Sequence, residues 1–385
     1  MRFHARALGV LVAAAAVLVA AAAVLVVGGQ NETFGTAVSA GGVWVIPGGA
    51  SGLDTTRTTL YTQNSPGVPG GVEFHDYFGA ALSAGNITGG APYLIVGSPG
   101  ESVGSREYAG MAYYLRGEVW RTFGQNTAGV AGTAEAGDSF GGAIAASDRF
   151  FAVGAQGEEL NYKPGAGTAH LFAHTIVGGA PKPIAAVHQD TSGISGSAET
   201  NDSFGSALSV VSYRPSPTAA IGALVAVGVS GEDLGSATDA GMAHLLAITP
   251  TGTVTEVADA QQNTSGVADT AEEDDMFGAD VAVAIRGTAP VGTPSTVVWA
   301  AAVGLERTGA SVSGAVQVFR NPKDPGDRDV LVTPGSHGTS PSDFQQAWGL
   351  GASPAHLVMT GVHEESVAVP WNNILNGATE PVVRL

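Results

Sequence analysis

Cysteine is absent from the 385 residues, which removes disulfide frameworks, thiolate metal sites and cysteine nucleophiles together. Charge is scarce as well. Asp, Glu, Lys and Arg supply 13% of the chain, about half of the roughly 25% usual in soluble domains. Positive charge is the scarcer sign, with 16 Lys and Arg against 34 Asp and Glu and a net charge of −18. A nucleic-acid binder working by phosphate attraction is therefore excluded. Aromatic residues make up only 7%, so Ala, Val and Gly must build most of any core. Catalytic spacings are also missing: there is no His-Glu-x-x-His and no phosphate loop, and a nucleophile elbow is not expected. Beyond residue 27 no apolar run is long enough to span a bilayer.

What is present begins at the N-terminus. Arg2, His4 and Arg6 precede an uncharged run of Ala, Val and Leu from Ala7 to Val27. A basic stretch followed by such a run reads as an export signal, and its length also suffices for an uncleaved anchor. Residues 1–29 are accordingly expected to be a signal peptide or an N-terminal membrane anchor. Small residues at Ala20-Ala21-Ala22 would suit a signal peptidase. The remainder, 30–385, is expected to face the outside, either secreted or held to the outer face of the membrane by residues 7–27.

Glycine is abundant, at 56 residues, without the period of three that marks collagen. It falls instead within a long repeat. Residues 63–79 read QNSPGVPGGVEFHDYFG, 125–141 QNTAGVAGTAEAGDSFG, 189–205 QDTSGISGSAETNDSFG and 262–278 QNTSGVADTAEEDDMFG. A decayed fifth copy, TPGSHGTSPSDFQQAWG, spans 333–349. The aromatic of each copy is Phe78, Phe140, Phe204, Phe277 and Trp348, at separations of 62, 64, 73 and 71 residues. Between copies the same short apolar segments recur in order. A small-residue strand follows the aromatic-Gly pair, then one ending in Gly (LIVG at 94–97, FAVG at 151–154, VAVG at 225–228, AAVG at 301–304, VMTG at 358–361). A Gly-led strand comes next (GMAYYL, GTAHLF, GMAHLL, GAVQVF), and a more polar strand closes the unit.

Four strands per unit of about 60 to 75 residues is the arithmetic of a propeller blade. The fold class is thus all-β, a β-propeller of about five four-stranded blades. The strands near 41–63 carry only the second half of a unit and the segment after 348 only the first half. The ring is therefore expected to close by N- and C-terminal strands in one shared blade, which would leave no free sheet edge. Six or seven blades, some degenerate, are the alternative.

The Phe-Gly pair, the apolar strand after it and the turn Gly97-Ser98-Pro99-Gly100-Glu101 resemble the FG-GAP repeat of integrin α-subunit propellers and their bacterial relatives. The resemblance covers nearly the whole chain after the export segment, and it implies an extracellular, adhesion-type binding module. It also implies calcium loops of the Asp-x-Asn/Asp-x-Asp-Gly type, and here the sequence departs from it. The corresponding loops are AGNITGGAPY at 84–93, with only Asn86 and Thr88, then Ser147-Asp148-Arg149, then 212–223, 285–296 and 353–356 without a cluster of acids. Calcium takes six to eight oxygens, several from carboxylates, so no loop calcium, metal or other cofactor is expected.

Each repeat places a Glu five residues and an Asp two residues before the aromatic: Glu73/Asp76, Glu135/Asp138, Glu199/Asp202 and Glu272/Asp275. Ring symmetry gathers them at one end. They form either an acidic rim able to hold a ligand or a set of turn carboxylates satisfying backbone donors, and recurrence in every repeat favours the second. Glu101, Glu158, Glu232, Glu306 and Glu364-Glu365 read as solvated turn acids. Trp44, Trp120, Tyr113, Tyr114 and Trp371 are the aromatics of a sugar-stacking kind, with core packing the simpler role. No catalytic residue is assigned. His75 beside Asp76, and His363 beside Glu364-Glu365, make acid/base pairs only if folding supplies partners. The expected function is a non-enzymatic extracellular binding module contacting a protein or glycan through loops at one end. It is expected to act as a monomer, touching membrane only through its N-terminal segment and binding no nucleic acid. The alternatives are an extracellular hydrolase with an axial active site and a purely structural envelope-associated scaffold. A pocket joining His, carboxylate and Ser would favour the enzyme, and a rim bearing exposed aromatics the binder.

Overall fold

The computed structural model describes residues 14–19, 22–49, 52–308, 311–312, 314–343, 347–361 and 366–385. Among the described residues six antiparallel sheets of four or five strands follow one another, the fifth interrupted by a two-stranded ribbon of Arg307–Thr308 and Ser311–Val312, and they form a six-bladed β-propeller. Blade 1 comprises Ala14–Val19, Ala22–Gly29, Gly42–Gly49 and Thr59–Tyr61. Blade 2 comprises Leu82–Asn86, Pro92–Ser98, Met111–Arg116 and Val119–Phe123. Blade 3 comprises Ile144–Ala146, Phe150–Ala155, Thr168–Val177 and Ala180–Val187. Blade 4 comprises Ala207–Tyr213, Gly222–Val229, Met242–Ile248 and Val254–Ala260. Blade 5 comprises Phe277–Ile285, Val297–Val303, Ala315–Phe319 and Val330–Val332. Blade 6 comprises Ala347–Ala352, His356–Gly361, Val367–Pro370 and Val383–Arg384.

Two expectations are corrected here. There are six blades rather than five, and no blade is shared between the termini. The strands at 42–61 belong with Ala14–Val19 and Ala22–Gly29, whose register pairs Val26 with Val45 and Val17 with Val24. An uninterrupted apolar run carries no period-2 signal, so these two strands look like a targeting segment and nothing else. At the other end the third strand, Val367–Pro370, lacks a leading glycine. A short helix, Trp371–Asn376, separates it from a two-residue fourth strand. Blade 6 is thus completed from its own sequence. Among the described residues no helix is long and apolar enough to cross a membrane.

The first strands of successive blades contact one another, which places them innermost. Second strands are sealed between neighbours; all eight residues of Gly222–Val229 are buried. The motif aromatics Phe78, Phe140, Phe204 and Phe277 have no exposed surface. Phe140 stands edge-on to Phe123 at 5.9 Å, the geometry aromatic quadrupoles prefer. The small residues set the spacing between blades. A Cβ placed on Gly97 would lie 2.0 Å from the carbonyl oxygen of Gly141 in the next motif, and one placed on Gly28, Gly154 or Gly228 would lie 2.1 Å from the equivalent oxygen of Gly79, Gly205 or Gly278. Blade backbones therefore touch where any side chain would hold them apart. In blade 4 Gly228 opposes Ala207, whereas the blade 5 ladder pairs Phe277 with Val303 and Val281 with Ala301 across a register shift.

Candidate functional site

In up-and-down sheets, the turns between second and third strands share one end of the ring with the linkers that carry the 17-residue motif. All eight acidic rim residues lie there, at two depths. Asp76, Asp138, Asp202 and Asp275 are buried, whereas Glu73, Glu135, Glu199 and Glu272 are exposed. Each Asp accepts, through Oδ2, the backbone N–H of the Glu three residues before it. The distance is 2.6 Å at Glu73, Glu135 and Glu272, and Glu199 donates to Asp202 in the same way. Asp343 repeats the bond to Ser340 at 2.6 Å. These bonds close the turn that delivers each aromatic to the core.

Beneath the Asp lies a second carboxylate that the sequence misplaces. Glu101, Glu158, Glu232 and Glu306 are not solvated turn acids: Glu158, Glu232 and Glu306 are buried and Glu101 is half-buried. Each accepts the side-chain amide of the glutamine that opens the motif, Gln63, Gln125, Gln189 or Gln262 respectively. The Gln63 amide also reaches the hydroxyl of Tyr113 at 2.8 Å. Burial pushes Glu101, Glu158 and Glu232 up to about 7, the neighbouring Asp adding to the effect. Burial likewise carries Asp76, Asp138 and Asp202 to about 6. Among the described residues no group of three or more His, Asp or Glu is placed to hold a metal ion.

The place where the first and second junctions of the rim meet differs from the others. Four junctions each hold, among others, three residues in left-handed backbone: Ser39, His75 and Tyr77 at the first; Tyr108, Gly137 and Ser139 at the second; Gly165, Asn201 and Ser203 at the third; Asp239, Asp274 and Met276 at the fourth. The conformation is imposed by backbone pairing of linker to turn, as in the bonds Tyr77 N–H to Ser39 O and Ser139 N–H to Tyr108 O. Gly, Asn, Asp and Ser suit these positions; a bulky side chain there costs roughly 1–2 kcal/mol. Yet His75, Tyr77 and Tyr108 occupy three of them, at φ of 62°, 55° and 57°. Phe74 sits where the other copies have Ala136, Thr200 and Glu273. The four side chains assemble. Phe74 lies 3.6 Å from the His75 ring between centroids, His75 is stacked on Tyr77 at 5.4 Å and 10°, and His75 Nδ1 is 3.1 Å from the Tyr108 hydroxyl. Phe74 is 60% and Tyr108 39% exposed. The result is a stack of rings open to solvent between Glu73 and Glu107, both exposed.

The aromatics singled out from sequence are placed differently. Trp120, Tyr113, Tyr114 and Trp371 are buried in the core and Trp44 is half-buried. The signal for the stack was nonetheless there, because EFHDYFG stands against EAGDSFG, ETNDSFG and EEDDMFG in aligned columns.

The histidines are mostly structural. His170 is buried and held near 4 by that burial. His244 is fully buried and bonds Glu256 Oε1 through Nδ1 at 2.6 Å. Glu256 Oε2 accepts the Ser195 hydroxyl at 2.7 Å, and that hydroxyl lies 3.1 Å from Asp259. His, carboxylate and Ser are thus joined, but with the carboxylate in the middle and no imidazole nitrogen facing the hydroxyl. Nucleophile activation requires the opposite order. Gly100-Glu101-Ser102-Val103-Gly104 has the Gly-x-Ser-x-Gly spacing that sequence reading missed. It forms a turn between strands with no helix after it, unlike a nucleophile elbow. His363, Glu364, Glu365 and the side chain of Trp348 lie outside the described residues.

No family model and no curated protein sequence matches the chain. Among solved structures it is similar to the α-L-arabinofuranosidase from Podospora anserina crystallised with cellotriose, at 9% identity and a TM-score of 0.40, over 84% of this chain and 94% of that one. That likeness is one of architecture.

Proposed function

We propose that the protein is a non-enzymatic binding module, acting outside the cell, that takes a glycan on the ring stack Phe74–His75–Tyr77 and Tyr108. A single observation carries this reading. Aromatic side chains occupy left-handed backbone positions where the first and second junctions meet, and strain of that kind is characteristic of binding sites. Aromatic faces offer apolar contact to the C–H face of a sugar ring, while Glu73 and Glu107 supply acceptors for its hydroxyls. A protein partner fits less well, because a stable interface needs 20 to 30 residues a side and the stack is an island of four. Placement outside the cell rests on the FG-GAP resemblance.

A glycan array and isothermal titration on the full chain provide the test. Phe74→Ala with Tyr108→Ala should lower affinity at least tenfold for whichever saccharide binds, with the melting temperature within about 1 °C of the parent. Failure of the parent chain to bind any saccharide, or unchanged binding by the double variant, overturns the reading. The hydrolase reading has one observation in its favour, the convergence of Glu256 and Asp259 on Ser195 beside a groove at the edge of blades 3 and 4. Polysaccharide cleavage abolished by Glu256→Gln would establish it.

A further inference from the structure

The end of the ring opposite the aromatic stack carries the turns between first and second strands and between third and fourth. There the loop of blade 3 shrinks to Ser147-Asp148-Arg149, and its shortness opens a cleft of about 330 Å³ between the outer parts of blades 2, 3 and 4. Arg116, Arg149 and Lys182 line it, three of the 16 cations in a chain of net charge −18.

The walls are built and held. His174 is buried, with Nδ1 2.9 Å from the Tyr114 hydroxyl and Nε2 2.9 Å from the Ser147 carbonyl oxygen. A carbonyl only accepts, so Nε2 carries the proton and Nδ1 takes the one from Tyr114. Burial keeps this ring near 4 and therefore neutral. The backbone oxygen of His174 in turn fixes the guanidinium of Arg116 at 2.9 Å. Asp148 is the one acidic residue of the lining, and its carboxylate is already committed. Oδ2 accepts the Thr88 hydroxyl at 2.6 Å and Oδ1 accepts that of Ser212. Its approach to Arg149 is loose, 3.9 Å from Nε, and that Nε is buried without a hydrogen-bond partner. The neutral remainder, Ile87, Phe150, Ile184 and Thr251 among others, adds no charge.

We infer that this cleft is a second binding site, selective for an oxyanion carried on a small organic molecule. Two guanidinium groups and an ammonium at one mouth match the planar, multidentate acceptors of a carboxylate, a sulfate or a phosphate ester. The surrounding negative field repels anions from the rest of the surface. The cleft lies at the far end from the aromatic stack and does not depend on it.

Titration of the full chain with sodium sulfate, sodium phosphate and sodium glucuronate, at ionic strength held constant with chloride, tests this and separates the three oxyanion sources. Saturable binding of at least one is expected. Arg149→Gln should weaken it at least tenfold and Lys182→Gln, at an exposed position that tolerates change, about threefold. Arg57→Gln, an exposed arginine outside the cleft, should leave it unchanged. Absence of saturation with all three probes overturns the inference. So does binding that survives both cleft variants, or that falls equally in the Arg57 variant.

Discussion

Replacing Gly97 by Ala should destabilise the ring through a single contact. A Cβ at this position would stand 2.0 Å from the Gly141 carbonyl oxygen and 3.0 Å from its carbon. Both obstacles are backbone of the next blade, so no side chain can rotate away, and blades 2 and 3 must part by more than 1 Å. Forced overpacking of this kind costs about 1–3 kcal/mol, occasionally more, and the absence of a movable neighbour places Gly97→Ala at or above the upper value. Unfolding entropies of about 2.1 cal/mol/K per residue make 3 kcal/mol roughly a 4 °C fall in melting temperature for a chain of this length. Gly104→Ala is the matched control. Its φ is positive, at 65°, unlike that of Gly97, and open space surrounds it, so only the left-handed strain of about 1 kcal/mol applies, worth little more than 1 °C. Differential scanning calorimetry of both variants measures the difference. If Gly97→Ala melts no lower than Gly104→Ala, blade contact through glycine does not set the ring spacing and the packing argument fails.

Other outcomes follow from the same structure. Glu101, Glu158 and Glu232 sit near 7 when folded against an ordinary 4.5, so the folded state holds more protons than the unfolded chain, and their contribution is lost as pH rises from about 4.5 to 7. The melting temperature should therefore rise on acidification from pH 7 to about pH 4.5, with Asp76, Asp138 and Asp202 adding to the rise and the two buried histidines, His170 and His174, opposing it in part between their ordinary 6.5 and the 4 at which they are held; a flat profile over pH 7 to 4.5 would contradict the buried Gln–Glu pairs. Tyr108→Gly relieves a left-handed tyrosine at the column where Gly165 stands, and should leave stability equal or raise it by up to about 1 kcal/mol in denaturant titration while binding is lost; a clear loss of stability would mean that the stack is structural. Removing residues 1–29 deletes two strands of blade 1 and bares the flank of blade 2. Circular dichroism melting should show a drop of well over 5 °C or loss of the cooperative transition, and an unchanged melt would place those strands outside the folded ring.

Much of this was legible from aligned columns. The four motif copies mark the buried Phe, the turn Asp and the strand order, because a ring repeats the same physics at each junction. The features that resisted are those whose signal is not local. Glu101 follows a glycine turn and looks solvated; its partner Gln63 lies 38 residues earlier and only the fold joins them. Ala14–Val19 and Ala22–Gly29 hide in composition, since inner propeller strands and an export segment can present the same uncharged run. The aromatic stack was visible as a departure from the columns rather than a match to them.

The left-handed positions at each junction have a wider consequence. Their backbone is held by linker-to-turn pairing, not by the side chains they bear, so identity there is free of the core. Ligand preference can drift at one junction while folding is conserved at all of them. Transplanting the stack by Ala136→Phe, Gly137→His, Ser139→Tyr and Gly165→Tyr would test whether the ring is in effect a rotary array of interchangeable sockets, of which this chain has filled one.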